Sequence, residues 1–120
     1  MAERGAMIIS WGNQRAGLPP DKGMEVFGES LTFYDELSKE GRITGYRVFA
    51  STMTQRGQLV IEGDLAELAR IMTTTESTRL LAKASAVVEN VEVDLCIGGP
   101  VDEVTGYYTR AIEAVKELGL

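Results

Sequence analysis

Several side chains that could bind a small polar molecule lie on predicted strands of this sequence. The candidate ligand-binding residues are Trp11, Tyr46, Arg47, Glu62, Glu92 and Asp94. Because alternate residues of a strand share one face, Arg47 could orient a polar ligand while a nearby carboxylate acts as a general base. The alternative is a solvated strand face on which Arg47 pairs with one of the carboxylates. The pattern assigns no catalytic residue.

The carboxylates also allow a metal site. Glu62, Glu92 and Asp94 could hold Mg²⁺ or Ca²⁺, which prefer oxygen ligands, although carboxylates at this density are common on surfaces. The sequence has no histidine and one cysteine, which excludes zinc sites and Ser-His-Asp or Cys-His catalysis. It has no phosphate-binding or dinucleotide-binding glycine motif. We therefore expect neither a resident metal nor a cofactor.

Length and charge narrow the function classes further. A chain of 120 residues has room for one domain, so we expect residues 1–120 to form one unit. The net charge of −6 argues against partners such as nucleic acid or an anionic membrane, both of which need clustered basic residues.

Cys96 is expected to pack as a small strand residue. One unpaired cysteine suits the reducing cytoplasm, and no apolar segment is long enough to span a membrane.

Hydrophobic periodicity predicts the element order β-α-β-β-α-β followed by one more helix. The first helix is expected to start at an Asp21 cap and to end at Gly41, and the second at an Asp64 cap with a break near Thr73. The predicted strands are 6–11, 43–51, 57–62 and 91–97. The first predicted helix lies between Asp21 and Gly41 and has a buried stripe of apolar residues from Met24 to Leu37, and the other predicted helices are 64–88 and 101–118.

This order predicts an α+β, ferredoxin-like fold, in which an antiparallel four-stranded sheet carries both helices on one face. The core is expected within residues 6–99, and the C-terminal helix lies outside it. Trp11, Val48, Phe49 and Ile61 supply more apolar side chains than one helix layer needs. We expect the uncovered face to pack against a second copy in a homodimer. A higher oligomer is also compatible with this pattern.

Three segments resemble a known superfamily, the dimeric α+β barrel proteins. They are 33–43, which leads from a helix into a strand, 57–64, which leads from a strand into a capped helix, and 80–93, which leads from a helix into the last strand. The resemblance covers residues 6–99. Within the superfamily, the chain is most similar to the YCII-like and small-monooxygenase-like branches. It implies two ferredoxin-like subunits that press their sheets together into a shared barrel.

The departures from that superfamily narrow the activities it implies. Its haem-degrading and chlorite-type members bind iron through a histidine, and its YCII-like members use a His-Asp pair, whereas this chain has no histidine. Its small quinone-forming monooxygenases need no metal or flavin and use Asn, Trp, Tyr and Arg. This chain has Trp11, Asn13, Tyr46 and Arg47, but at a spacing that does not match residue by residue.

Three functions follow as expectations. The first is a homodimeric α+β barrel that binds a small organic ligand. The alternative is a cofactor-independent monooxygenase or isomerase acting on an aromatic or polyketide-like substrate, and the third is an assembly module without a ligand. The loop 12–22, which is long and contains glycines and Arg15, is the candidate lid.

Overall fold

The computed structural model describes residues 3–119 and has the predicted ferredoxin-like α+β fold. The elements are β1 (Arg4–Trp11), α1 (Lys22–Lys39), β2 (Gly45–Ala50), β3 (Gly57–Asp64), α2 (Leu65–Met72), α3 (Thr75–Val87), β4 (Glu92–Ile97) and α4 (Val101–Lys116). The predicted helix that breaks in its middle is thus two helices, α2 and α3.

The four strands form one antiparallel sheet in the order β2-β3-β1-β4. On the face covered by the helices, Met7 and Ile9 of β1 lie beside Ile61 and Leu59 of β3. These four side chains are buried and form the centre of the core. Helix α2 packs on β1, β3 and β4, while α1 packs on β2 and on α3.

Helix ends follow local chemistry, with two differences from expectation. The Asp64 carboxylate accepts a 3.0 Å hydrogen bond from the Glu67 N–H, which confirms the predicted cap of α2. Helix α3 is capped by Thr74, one residue later than the expected break, because the Thr74 hydroxyl accepts the Ser77 N–H. Asp21 occupies the N-cap position of α1 but makes no side-chain capping bond. Gly41 follows α1 with a φ of +74°, as predicted.

The excess of apolar strand residues is divided between the two faces of the sheet. Trp11, Val48 and Ile61 pair in register with covered-face positions and point toward the helices, whereas Phe49 lies on the uncovered face. The uncovered face also presents Ile8 and Val60. Because these strands carry apolar residues on both faces, composition alone does not assign a residue to a face.

Helix α4 lies outside this layered core. None of its residues is buried, and Tyr108 and Ile112 are among its exposed apolar side chains. An ion pair of 3.6 Å between Arg110 and Glu3 connects the helix to the start of β1. Within residues 3–119, no helix combines the length and apolar character that a membrane crossing requires.

Candidate functional site

The six predicted ligand-binding residues lie on two opposite faces of the sheet. Four of them are on the uncovered face, namely Arg47, Glu62, Glu92 and Asp94. Trp11, opposite Gly57, and Tyr46, opposite Ile61, are on the face covered by the helices. The expectation that Trp11 shares a face with Arg47 and the carboxylates is therefore wrong, because Trp11 is an odd-numbered residue of β1 in step with buried Met7 and Ile9.

On the uncovered face, the charged groups form a solvated pair rather than a pocket. The Arg47 guanidinium donates to the Glu62 carboxylate, and its Cζ atom lies 5.8 Å from the centre of the Phe49 ring. Glu92 and Asp94 lie on the edge strand β4, opposite Ser10 and Ile8. In the described part of the chain, no three acidic, histidine or cysteine side chains converge as metal ligands would, which contradicts the magnesium alternative.

The covered face encloses the stronger candidate site, a cavity of about 430 Å³ between the sheet, α1 and α3. Its volume is within the range of sites that bind small organic molecules. The walls are mostly aliphatic and aromatic, and the principal side chains are Trp11, Phe27, Leu31, Tyr34, Leu80 and Leu81. Sequence periodicity identified the α1 side chains as a buried stripe, but it could not show that the stripe leaves a space beside the sheet.

Trp11 forms the end wall of this cavity. Its ring lies edge-to-face with Phe27, with centroids 5.8 Å apart. The indole rests directly on Gly57, where an added Cβ atom would lie 2.5 Å from the ring. Glycine at position 57 therefore provides the space that the indole occupies.

Tyr34 contributes a polar group to an otherwise apolar wall. The side chain is 2% exposed, and burial raises the pKa of its phenol to about 12, an effect that the nearby Ser77 hydroxyl partly offsets. The phenol is therefore protonated at neutral pH and can donate a hydrogen bond, but it cannot act as a base. Tyr46 packs behind it, at a ring distance of 6.4 Å, and does not line the cavity.

Ion pairs hold the two helical walls together. Glu29 of α1 accepts hydrogen bonds from Lys83 at 3.1 Å and from Arg79 at 3.3 Å, both on α3. Arg79 also donates to Glu76 at 2.6 Å. The bond from Lys83 is the main reason that the pKa of Glu29 is lowered from its ordinary value, although desolvation opposes it.

The exposed residues of the lining mark the mouth of the cavity, and both the predicted lid loop and the β2–β3 hairpin loop contribute to it, beside Met24 of α1 and Val48 of β2. Arg15 of the lid loop donates its backbone N–H to the Val87 carbonyl and its Nε to the Ser85 carbonyl, both at 2.9 Å. These bonds attach the first part of the loop to the C-terminal end of α3. Arg15 thus binds backbone carbonyls and does not line the cavity, while the lid role of the whole loop stays a prediction.

Arg56, in the hairpin loop, was not identified from the sequence. It is the one charged residue lining the cavity in the described chain. The sequence shows only a basic residue in a short loop between two strands, and basic residues are common in surface loops. Its position at the mouth follows from the hairpin register, in which Ala50 pairs with Gly57.

Comparisons with known proteins support the fold. No protein-family model matches the sequence, and no curated protein matches it. Among solved structures, SnoaB, a cofactor-independent oxygenase from Streptomyces nogalater, is 11% identical with a TM-score of 0.60, over 83% of this chain and 97% of that one. An antibiotic biosynthesis monooxygenase is 18% identical with a TM-score of 0.58, over 79% and 99% of the two chains. A dimeric protein of unknown function and ferredoxin-like fold from Bacteroides fragilis is 14% identical with a TM-score of 0.57, over 78% and 96%.

Proposed function

We propose that this protein binds a small, largely apolar organic molecule with an aromatic ring in the cavity between the sheet, α1 and α3. The observation that carries the proposal is the cavity itself, about 430 Å³ with predominantly apolar walls. A well-packed domain rarely leaves a space of this size beside its core without a use for it.

The aromatic preference follows from the walls. Trp11 and Phe27 already meet edge-to-face at 5.8 Å, and a ligand ring beside them would extend this arrangement. Such aromatic pairs contribute about 0.5–1.5 kcal/mol beyond the burial of apolar area. The protonated phenol of Tyr34 supplies a hydrogen-bond donor for a ligand oxygen.

The test uses Trp11 as its own reporter, since it is the only tryptophan in the sequence. Naphthamide, a neutral aromatic probe, is titrated while the single indole N–H signal is followed by NMR. We expect a saturable shift of that signal. Ala84→Phe, which places a ring in the cavity, should abolish the shift, whereas Ala82→Phe, at an exposed position of the same helix, should not. No saturable shift, or an equal shift in Ala84→Phe, would overturn the proposal.

A second candidate function is cofactor-independent oxygenation of an aromatic or polyketide-like substrate. It is favoured by the likeness in fold to SnoaB and to the antibiotic biosynthesis monooxygenase. In this reaction, a CH₂ group between two aromatic rings and one O₂ yield a ketone and one H₂O, so the electrons balance without a reductant. A hydrogen bond from Tyr34 to the substrate oxygen would stabilise the deprotonated, O₂-reactive form.

Oxygen uptake with anthrone tests this second function. We expect the wild-type protein to accelerate O₂ consumption above the buffer rate, with one O₂ consumed per quinone formed, and Ala84→Phe to remove the acceleration. If the protein leaves the buffer rate unchanged while naphthamide binds, the cavity is a binding site and not an oxygenase site.

We also propose that two copies pair through the uncovered sheet faces, as a cytoplasmic homodimer. The support is the apolar set on that face, exposed Phe49 with half-buried Ile8 and Val60, together with the dimeric Bacteroides fragilis protein of similar fold. Phe49→Arg places a charge on the proposed contact face and should yield a monomer by sedimentation equilibrium. Met53→Arg, in the exposed hairpin loop, is the matched control and should leave the mass unchanged.

A further inference from the structure

We infer that the ligand of this cavity is an anion, with an aromatic or other apolar body inside and a carboxylate-like group held by Arg56 at the mouth. This inference rests on the proposed binding function and deepens it, because it names the chemical class of the ligand.

Arg56 is an uncompensated positive charge in an acidic protein. Its guanidinium has no hydrogen bond or ion pair with residues 3–119, although the chain carries a net charge of −6. Most other arginines have partners: Arg42, Arg47, Arg70, Arg79 and Arg110 each pair with a carboxylate. Arg4 is also without such a partner, but it lies at the opposite end of β1 from Trp11. An arginine left free at a cavity mouth is therefore available to a ligand.

The rest of the cavity lining favours an anion over a cation. In the described part of the chain, the lining includes no aspartate, glutamate or lysine, so Arg56 supplies its only formal charge. Inside the cavity, a ligand carboxylate would meet one guanidinium and no negative side chain of the lining; Glu92 shares with Arg56 only the neighbouring, shallower pocket. The planar guanidinium can donate two parallel hydrogen bonds to a carboxylate, which makes this pairing stronger than one between neutral groups.

The backbone that carries Arg56 is held in place before any ligand arrives. The Arg56 N–H donates to the Thr54 hydroxyl at 3.1 Å, and the Arg56 carbonyl accepts from the Ser51 N–H at 2.9 Å. The Ser51 hydroxyl accepts the N–H groups of Met53 and Thr54, both at 3.1 Å. A loop fixed in this way loses little backbone entropy when its arginine binds an anion.

The experiment compares naphthoate with naphthamide, which have nearly the same shape and differ in charge. Both are titrated against the Trp11 indole signal. We expect the wild-type protein to bind naphthoate about tenfold more tightly, the effect of a partly exposed charge-assisted hydrogen bond. Arg56→Gln should remove this preference and leave naphthamide binding within about twofold of wild type. Arg56→Lys keeps the positive charge but cannot donate two parallel hydrogen bonds to a carboxylate, so it should retain part of the preference for naphthoate.

Controls separate the possible outcomes. Arg4→Gln removes another arginine that has no ion pair within residues 3–119 and should keep the full preference for naphthoate. The preference should also shrink as salt is added, because the mouth is exposed and its charge is screened. Equal wild-type affinities for the two probes, or a preference that survives Arg56→Gln, would overturn the inference while leaving the cavity as a binding site. If neither probe moves the Trp11 signal, the proposed function and this inference both fail.

Discussion

The backbone N–H of Gln14 donates a hydrogen bond of 2.8 Å to the side-chain carbonyl oxygen of Gln55, and this bond joins the two loops at the cavity mouth. Within the described residues, it is the one hydrogen bond that connects the lid loop with the hairpin loop. Each loop is separately fixed behind it, the first by Arg15 on the end of α3 and the second by the Ser51 hydroxyl. Separating the two loops therefore breaks one direct hydrogen bond among the described residues.

Gln55→Ala should loosen the mouth with little effect on global stability. A typical net hydrogen bond contributes about 0.5–1.5 kcal/mol, so the Gln14 amide should exchange with solvent about two- to tenfold faster. Hydrogen exchange followed by NMR provides the measurement. Thr52→Ala, a truncation in the same exposed loop, serves as the control and should leave the Gln14 amide unaffected. Unchanged exchange in Gln55→Ala would show that the bond does not hold the mouth.

Tyr34 should make the protein sensitive to alkaline pH. Its folded-state pKa of about 12 lies above the ordinary value of 10.0. Between these values, the unfolded chain loses the phenol proton and the folded chain keeps it, so the stabilisation is complete below the lower value and is lost as the pH rises. At about pH 11, the loss amounts to about 1.4 kcal/mol.

Tyr34→Phe should therefore lose less of its free energy of unfolding than wild type between neutral pH and about pH 11. Urea unfolding at the two pH values measures the difference. Tyr107→Phe, at an exposed position of α4, should keep the wild-type dependence. Parallel pH profiles for wild type and Tyr34→Phe would contradict the assignment of this alkaline loss to Tyr34.

Glu29→Gln should weaken the connection between α1 and α3 in a pH-dependent way. Because the hydrogen bond from Lys83 lowers the pKa of Glu29, its stabilisation is present above the ordinary carboxyl pKa and disappears as the pH falls through the lowered one. The variant should thus be less stable than wild type at neutral pH and equal to it in acid.

Chemical denaturation of both proteins at neutral and acidic pH checks this expectation. Glu25→Gln is the matched control, since Glu25 pairs with Lys22 inside the same helix at 3.2 Å and connects nothing to α3. A constant difference between wild type and Glu29→Gln across the pH range would assign the effect to packing and not to the ion pairs.

Asp64→Ala should destabilise the protein by about 1 kcal/mol, because it removes the side-chain cap of α2. Asp64→Asn keeps an acceptor oxygen and should recover most of this stability. Asp21→Ala gives the internal comparison: Asp21 stands at the same position of α1 but makes no capping bond, so its truncation should change little. Thermal unfolding of the three variants measures these differences. If Asp64→Ala and Asp21→Ala lost equal stability, the Asp64 capping bond would not account for the effect.

The fold could be predicted largely because its signals are local. Gly41 ends α1 with a left-handed backbone, and Asp64 caps α2 through a bond to a residue three positions away. Signals of this kind depend only on residues that are close in sequence, so they can be recognised without knowledge of the tertiary contacts. The same reasoning misplaced the α3 cap by one residue, because Thr73 and Thr74 offer the same hydroxyl.

The candidate site could be predicted only in part, because it depends on which face each strand presents. Trp11 was identified as important but grouped with Arg47, although the two lie on opposite faces. The cavity arises from the separation of α1 and α3 above the sheet, and no single segment encodes that distance. Arg56 was missed because its place at the cavity depends on the hairpin register, and because the lack of carboxylates in the cavity lining appears only in the folded chain.

The contact between Trp11 and Gly57 links the largest side chain of β1 to the smallest residue of β3. Any side chain added at position 57 meets the indole, so alanine there is unfavourable while tryptophan is present at position 11. Once Trp11 is replaced by a smaller residue such as leucine, the nearest remaining atom is the Phe49 carbonyl oxygen at 3.2 Å, so the same alanine needs only a small local shift. The two positions are thus epistatic, and the order of substitutions matters: a mutational path that enlarges the residue at 57 is open only after the residue at 11 has shrunk.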